Sequence, residues 1–214
     1  MKIRTVFMGS PEFALPTLRI LAERMLVVGV VTQPDRPAGR GRTLTPPPVK
    51  VWAEEQGLPF IQPRRLREPE AMQQLLDWKP DLVVVAAFGQ ILRAEILDLP
   101  AYGCVNVHAS LLPRWRGAAP IHAAILSGDT QSGVSIMRMD AGIDTGPILR
   151  QKAVPILPDD TTASLGERLA QLGAQLLIET LRDYLNGKIK PVAQEAFSDQ
   201  MPTYAPLLKK EDGL

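Results

Sequence analysis

An asparagine and a histidine two residues apart are the most chemically suggestive pair in this 214-residue sequence. Asn106 and His108 alternate with Val105 and Val107, and such alternation of polar with β-branched residues is typical of a strand. Side chains at alternate positions of a strand point to the same face. The small residues and the proline that follow end the strand. The sequence therefore predicts an amide and an imidazole together at the carboxyl end of a strand, where open α/β sheets bind ligands.

The residues around this pair bear on whether the histidine is structural or catalytic. A lone histidine at a strand end is more often hydrogen-bonded for structure than used in catalysis. Here residues 113–117 bring a proline, two arginines and a glycine, and Asp144 lies in a second loop rich in glycine. An acid in a turn usually bonds only its own backbone. Asp144 is therefore of interest as a candidate partner for His108.

The composition is that of an ordinary globular protein and excludes several function classes. Hydrophobic residues make up 45% of the chain and the formal net charge is +1, so the chain as a whole is no electrostatic nucleic-acid binder. No apolar run approaches the roughly 18 residues of a membrane helix, and the start lacks a signal-peptide pattern. We therefore expect a cytoplasmic protein without membrane partners. The single cysteine, Cys104, excludes an internal disulfide and a multi-cysteine metal site.

Buried-strand patterns alternate with helical patterns along the chain. Four apolar runs predict strands, near residues 3–8, 26–31, 81–87 and 103–108. The fold class that follows is α/β, a three-layer Rossmann-like domain with a mostly parallel central sheet. Gly9, Phe88 and His108 should then share one edge of the sheet. No G-x-G-x-x-G follows the first strand, which argues against an NAD-dependent enzyme.

Residues 32–48 form a proline-rich stretch that contains most of the main cluster of basic residues. Five prolines and two glycines predict a long irregular loop. Four basic residues and no acid lie between positions 36 and 50, namely Arg36, Arg40, Arg42 and Lys50. Arginines without neutralising acids suit phosphate oxygens, and the lack of interleaved aromatics argues against base stacking. A solvated surface loop is the alternative interpretation.

A short apolar group follows the third predicted strand. Phe88, Ile91 and Leu92 could line an apolar slot for a flat ring. Membership of the hydrophobic core is the simpler interpretation of the same residues.

The motifs together resemble one known family, the folate-dependent formyltransferases. Four motifs carry the resemblance: Asn-x-His at 106–108, Ser-Leu-Leu-Pro at 110–113, Arg116-Gly117 and Asp144. It extends over essentially all 214 residues and includes three further stretches, at 7–14, 33–41 and 117–121. The proline-rich basic loop is similar to that of family members that act on tRNA.

The resemblance implies transfer of a formyl group from 10-formyltetrahydrofolate to the amino group of initiator methionyl-tRNA, for translation initiation. The family's catalytic trio corresponds to Asn106, His108 and Asp144. Asn106 and His108 would donate hydrogen bonds to the oxyanion of a tetrahedral intermediate, where losing one donor typically costs about 3–4 kcal/mol. Asp144 would favour the imidazolium and orient a water or accept the proton of the amine. No metal is required, and no metal-ligand cluster stands in the sequence.

The resemblance also implies two binding surfaces. The folate contacts correspond to residues of three loops: Phe88, Gly89, Ile91, Leu92, Ser110, Leu111, Leu112, Pro113 and Asp140. The tRNA contacts correspond to the basic cluster: Arg36, Arg40, Arg42 and Lys50. Among these we expect Arg42 to make the deepest contact, because the glycines before it let the backbone approach closely.

Family members usually continue beyond this domain at the C-terminus. We expect a formyltransferase catalytic domain over 1–188 and an extended linker or tail over 189–214 toward an absent C-terminal domain, so the chain is either a fragment or a short member. We also expect a monomer. Two alternatives remain. A formyltransferase for a small-molecule amine, such as a purine precursor or an amino-sugar nucleotide, would keep the trio without needing the basic loop. A non-catalytic α/β binding module would be free to lose Asn106 or Asp144.

Overall fold

The computed structural model describes residues 3–38, 43–196 and 201–208. The chain divides into two compact units, Met1–Val107 and His108–Leu214. Seven of the described strands form a mostly parallel sheet flanked by helices, which confirms the predicted α/β class. Among the described residues, no helix is both long and apolar enough to cross a membrane.

The first unit alternates strands with helices. Its elements are β1 (Arg4–Gly9), α1 (Leu15–Arg24), β2 (Leu26–Val31), β3 (Arg36–Ala38), β4 (Thr43–Thr45), α2 (Pro48–Glu55), β5 (Phe60–Ile61), α3 (Pro69–Trp78), β6 (Leu82–Ala86), α4 (Ala94–Leu97) and β7 (Cys104–His108), whose last residue begins the second unit. Strands β5, β2, β1, β6 and β7 pair in that order and run parallel. Every residue of β6 and β7 is buried, as is usual for parallel strands. The four strands predicted from apolar runs are confirmed.

The carboxyl ends of β1, β6 and β7 lie at one edge of the sheet. Gly9 pairs with Ala86, and Val85 pairs with Asn106, in parallel register. A Cβ on Gly9 would lie 2.7 Å from the Ala86 carbonyl oxygen, so only glycine lets the two strands approach this closely. The loops that follow these strands therefore start from a common edge, the position where parallel sheets present functional groups.

The proline-rich stretch is more ordered than its composition predicts. Strands β3 and β4 pair antiparallel, with Arg36 opposite Thr45 and Pro37 opposite Leu44. The prediction of an irregular loop is therefore wrong for these residues. A two-stranded ribbon consists only of edge strands, where a proline without an N–H is tolerated. Arg40 and Arg42 lie outside the described residues.

The second unit is built on one long hairpin and one long helix. Its elements are α5 (Pro120–Leu126), β8 (Gln131–Arg138), β9 (Ile148–Pro155) and α6 (Thr162–Leu185). Strands β8 and β9 pair antiparallel, and α6 packs on both through a buried stripe that includes Leu165, Leu169 and Leu177. A reciprocal cap starts α6, because Thr161 Oγ1 accepts the Ser164 N–H and Ser164 Oγ accepts the Thr161 N–H.

The segment after α6 is anchored on the second unit. Val192 exchanges two backbone hydrogen bonds of 2.8 Å with Ile148 of β9. A 3-10 turn, Gln194–Ala196, follows, and Gln194 is only 2% exposed. Further on, Tyr204 forms a parallel bridge with Arg116. The segment therefore contributes a buried side chain to this unit.

Candidate active site

His108 ends β7 as a buried imidazole between two acceptors. Its Nε2 lies 2.9 Å from the backbone carbonyl oxygen of Trp115, and its Nδ1 lies 3.6 Å from Oδ2 of Asp144. A carbonyl oxygen can only accept, so Nε2 carries the N–H of this hydrogen bond, which fixes the orientation of the ring. The Asp144 carboxylate lies beside the other ring nitrogen, at a distance longer than a hydrogen bond.

Asp144 is held in an uncommon backbone conformation. Its φ is +51°, in the left-handed region, which typically costs a non-glycine residue about 1–2 kcal/mol. Its Oδ2 accepts the Gly117 backbone N–H at 2.8 Å. Gly117 has φ +110°, and a Cβ there would lie 2.7 Å from the carbonyl oxygen of Ala205. Glycine is therefore required at the position whose N–H meets the carboxylate.

Asn106 stands two residues before His108 in the same strand. Alternation along β7 points the two side chains to one face, as the sequence predicts. Asn106 is 8% exposed, so its carboxamide is a buried polar group close in sequence to the imidazole. Within the ranges that the structure describes, no three histidine, cysteine, aspartate or glutamate side chains are grouped as metal ligands.

Asp129 fixes the residue that supplies the carbonyl to His108. Its carboxylate accepts two hydrogen bonds from the Arg114 guanidinium, at 2.9 and 2.6 Å, and one from the Trp115 indole N–H at 2.8 Å. The Arg114 guanidinium also lies 4.4 Å from the centroid of the Trp115 ring. The hydrogen bonds from Arg114, and then that from Trp115, hold the pKa of the Asp129 carboxyl below its ordinary 3.8. Asp129 therefore stabilises the turn that carries the Trp115 carbonyl.

Residues 110–113 are tied to the β8–β9 hairpin. Ser135 Oγ donates to the Ser110 carbonyl at 2.6 Å and accepts the Leu112 N–H at 3.0 Å. Gln151 Nε2 donates to the Leu112 carbonyl at 2.7 Å. The Leu112 side chain is buried with Met137 and Ile148. Of the four predicted folate contacts in this stretch, Leu111 is the one that is not fully buried.

Asp140 shapes the loop that leads to Asp144. Its Oδ1 accepts the Gly142 N–H at 3.0 Å and the Thr145 hydroxyl at 2.6 Å. Asp140 itself is exposed. Hydrogen bonds from an aspartate to the backbone two residues further on are typical of a turn.

The predicted folate residues after β6 divide into two kinds. Phe88 and Leu92 are each 3% exposed and belong to the core, whereas Ile91 is 72% exposed. Gly89 has φ +77°, a conformation that glycine adopts readily. Ile91 lines a cavity of about 570 Å³ together with other apolar and charged residues: Leu66, Met72, Ile96, Arg65, Arg67, Arg93, Gln90 and Glu95. None of the three arginines is in an ion pair with a residue that the structure describes.

The basic cluster is partly engaged within the first unit. Lys50 Nζ lies 3.0 and 2.8 Å from the two carboxylate oxygens of Asp35, so its charge is neutralised locally. Arg36 is exposed and donates to Gln33 Oε1 at 2.8 Å. Gln33 Nε2 in turn donates to the Phe88 carbonyl at 2.9 Å. One side chain therefore links the β3–β4 ribbon to the loop after β6.

A family model described as formyl transferase matches residues 1–181. The chain belongs to the formyl transferase family. The match spans all three members of the predicted trio and ends within α6.

Curated relatives of this formyltransferase chain are similar over nearly its whole length. Methionyl-tRNA formyltransferase from Citrifermentans bemidjiense is 54% identical over 213 residues, which is 99% of this chain. Methionyl-tRNA formyltransferase from Geotalea daltonii is 55% identical over 214 residues. The chain spans 66% of the first relative's length and 67% of the second's.

A solved formyltransferase structure has a similar fold. Phosphoribosylglycinamide formyltransferase from Streptococcus pneumoniae TIGR4 superposes with a TM-score of 0.70 at 26% identity. The similarity covers 86% of this chain and 99% of the other. The predicted Rossmann-like class is confirmed.

Three groups beside the candidate residues were not predicted from the sequence. The Trp115 carbonyl and the Gly117 N–H are backbone atoms, and although the sequence gives a motif at Gly117, it does not indicate that this N–H meets Asp144. Gln194 donates from Nε2 to the carbonyl oxygens of Asp144 and Gly146, at 2.8 Å each. It lies 50 residues from Asp144 in a stretch without periodicity. Nothing in the sequence marks it as part of the site.

Proposed function

We propose that this protein transfers the formyl group of 10-formyltetrahydrofolate to the α-amino group of methionyl-tRNA. Membership of the formyl transferase family and relatives of that name at 54 and 55% identity support the assignment. We further propose that it acts in the cytoplasm as a monomer, with the initiator tRNA as acceptor. Asn106, His108 and Asp144 are the proposed catalytic residues.

The observation that carries the proposal is the placement of His108. Its two ring nitrogens face the Trp115 carbonyl and the Asp144 carboxylate. The Trp115 carbonyl engages Nε2, so Nδ1 is the ring nitrogen left to donate to a developing oxyanion. Asn106, on the same strand face, adds a second donor. Two donors on one face suit the oxyanion of a tetrahedral intermediate.

The reaction balances with these groups. The amine nitrogen attacks the formyl carbon, the new C–N bond forms, and the carbonyl electron pair moves to the oxygen, where Asn106 and His108 stabilise it. The attacking amine loses one proton, which Asp144 accepts directly or through a water. On collapse, the electron pair of the oxyanion re-forms the C=O double bond, and the bond between the formyl carbon and N10 of the folate breaks. N10 keeps the electron pair of that bond and takes up the proton that Asp144 accepted.

We propose that the folate lies against the loops at 88–92 and 110–113 and near Asp140. The cavity beside Ile91 supports this, because apolar side chains there accompany Arg65, Arg67 and Arg93. Folates combine flat rings with anionic glutamate carboxylates, and such molecules suit apolar walls with guanidinium groups at the rim. Phe88, Gly89, Leu92 and 110–113 would shape the site through their backbone.

We propose that the basic cluster contacts tRNA phosphates through Arg36, Arg40 and Arg42. Lys50 would serve mainly by fixing Asp35 at the base of the ribbon. Contacts of arginine with phosphate are sequence-blind and salt-dependent, so this surface would position the acceptor stem rather than read its bases.

A panel of acceptors tests the function directly. The protein is incubated with 10-formyltetrahydrofolate and methionyl-tRNA, a purine-precursor amine or an amino-sugar nucleotide, and products are read by mass. Formylmethionyl-tRNA is the expected product. Formylation of a small amine alone would replace the tRNA assignment, and no transfer to any acceptor would favour a binding module. Asp144→Asn is the matched control for background transfer.

A further inference from the structure

Gln194 uses its whole carboxamide inside the second unit. Its Oε1 accepts two hydrogen bonds from the Arg116 guanidinium, at 3.1 Å from Nε and 2.7 Å from Nη2. Its Nε2 donates to the carbonyl oxygens of Asp144 and Gly146. Both Gln194 and Arg116 are buried. A buried carboxamide with every donor and acceptor engaged holds its partners in one arrangement.

The two carbonyls it holds belong to the loop that carries Asp144, the proposed proton acceptor. Asp144 is in the left-handed region, which most residues avoid, so its conformation must be imposed by its surroundings. Gln194 fixes the backbone on the carboxyl side of Asp144, while the Gly117 N–H fixes its side chain. Together these contacts set the direction in which Oδ2 faces the imidazole.

We infer that Gln194 is a positioning residue for Asp144, so that a segment beyond the matched family region completes the active site. The family match ends at residue 181, and Gln194 follows α6 in the anchored segment. The inference rests on the proposed function in one respect, the catalytic role of Asp144. It goes beyond it by assigning part of the site to residues outside the matched domain.

Neighbouring contacts show how the segment reaches the site. Thr203 Oγ1 accepts the Trp115 N–H at 2.9 Å, and the Thr203 carbonyl accepts the Arg116 N–H at 2.9 Å. The Ala205 N–H donates to the Arg116 carbonyl at 2.7 Å. The segment therefore contacts the 114–117 turn as well as the Asp144 loop.

Gln194→Glu distinguishes the role of the carboxamide oxygen, which accepts from Arg116, from that of the carboxamide nitrogen, which donates to the two carbonyls. The carboxylate keeps an acceptor for Arg116 and loses both donors to the Asp144 and Gly146 carbonyls. If Gln194 positions Asp144, Gln194→Glu lowers kcat about 10- to 100-fold, because small misplacements of a catalytic group have effects of this size. KM for tRNA and for folate should stay within about twofold, since neither surface is touched. Glu195→Ala changes the exposed neighbour and is the matched control.

The opposite pattern overturns the inference. If Gln194→Glu keeps the wild-type kcat, the residue serves only to satisfy Arg116. In that case only Gln194→Leu, which lacks both the acceptor for Arg116 and the donors to the two carbonyls, is expected to lose activity. Thermal melting of each variant verifies that activity is compared between folded proteins.

A second readout does not depend on the reaction. The chain has two histidines, His108 and His122, so the imidazole ¹⁵N resonances of His108 are assigned by comparison with His122→Gln. Gln194→Glu should move the His108 resonances toward those of Asp144→Asn, and Glu195→Ala should not. A wild-type spectrum in Gln194→Glu overturns the positioning role. Wild-type protein that formylates no methionyl-tRNA would instead refute the proposed function, leaving this spectrum to decide the positioning role alone.

Discussion

Asp144 Oδ2 accepts the Gly117 N–H at 2.8 Å while lying 3.6 Å from Nδ1 of His108. One carboxylate oxygen therefore serves both the backbone and the imidazole. Asp144→Asn keeps the shape and removes the charge, so in the proposed mechanism the amine loses its proton acceptor. We expect kcat to fall about 100-fold or more, with little change in binding of a folate analogue. Single-turnover formylation and analogue titration measure the two effects.

Asp159→Asn is the control for that substitution, because Asp159 is an exposed acid of the same unit. It should leave kcat unchanged. Wild-type turnover in Asp144→Asn would mean that the aspartate is a turn residue, and the proposed mechanism would lose its base.

The hydrogen bonds that Asp129 accepts from Arg114 and Trp115 predict a pH-dependent contribution to stability. The pKa of Asp129 is lowered in the folded protein, chiefly by hydrogen bonds from Arg114, so its stabilisation is present above the unfolded value and lost as pH falls through the folded value. Asp129→Asn should destabilise the protein by about 1.5–3 kcal/mol at neutral pH, the usual range for hydrogen bonds to charged groups. Below its ordinary 3.8 the difference from wild type should shrink. Denaturant unfolding at neutral pH and at pH about 3 measures both values.

A difference between Asp129→Asn and wild type that is equal at both pH values would contradict this account. Turnover offers a second check, since Trp115 supplies the acceptor for His108 Nε2. The same variant should lower kcat, whereas Asp159→Asn should not.

The fold and the core of the site follow from short-range sequence patterns. Apolar runs locate β1, β2, β6 and β7 because parallel strands are buried on both faces. Alternation along β7 places Asn106 and His108 on one face, and glycines around Asp144 identify its turn. Each of these signals involves residues within a few positions of one another.

The remaining features depend on contacts that no local pattern encodes. The β3–β4 ribbon was not predicted because Pro37 lowers the strand propensity of its segment. An edge strand nevertheless accepts a proline. The acceptor for Lys50 is Asp35, which stands 15 residues away and only one position outside the acid-free stretch. Gln194 reaches Asp144 across 50 residues. Backbone groups such as the Trp115 carbonyl can be assigned only from coordinates.

The cavity beside Ile91 gives a prediction for the folate site. Ile91 is 72% exposed, so Ile91→Asp should not disturb the core. In the proposed site the new carboxylate would add a charge to an apolar wall and face the carboxylates of the folate. We expect a folate analogue to bind about tenfold or more weakly, measured by titration calorimetry. Val51→Asp places the same change on an exposed position of α2 and is the control. Undiminished binding to Ile91→Asp would place the folate elsewhere.

The last prediction concerns Arg36, the described arginine of the basic cluster. Arg36 is exposed and held toward Gln33, so Arg36→Ala removes one charge from the surface proposed for tRNA without opening the core. Each phosphate contact adds about one unit to the slope of log affinity against log salt. Arg36→Ala should therefore raise KM for methionyl-tRNA most at low salt and reduce the slope by about one unit, leaving KM for folate unchanged.

The control is Arg19→Ala, because Arg19 is an exposed arginine on α1. Arg42→Ala is expected to have the larger effect, as the deepest proposed contact. Equal KM values for wild type and both loop variants at every salt concentration would mean that this cluster is ordinary surface.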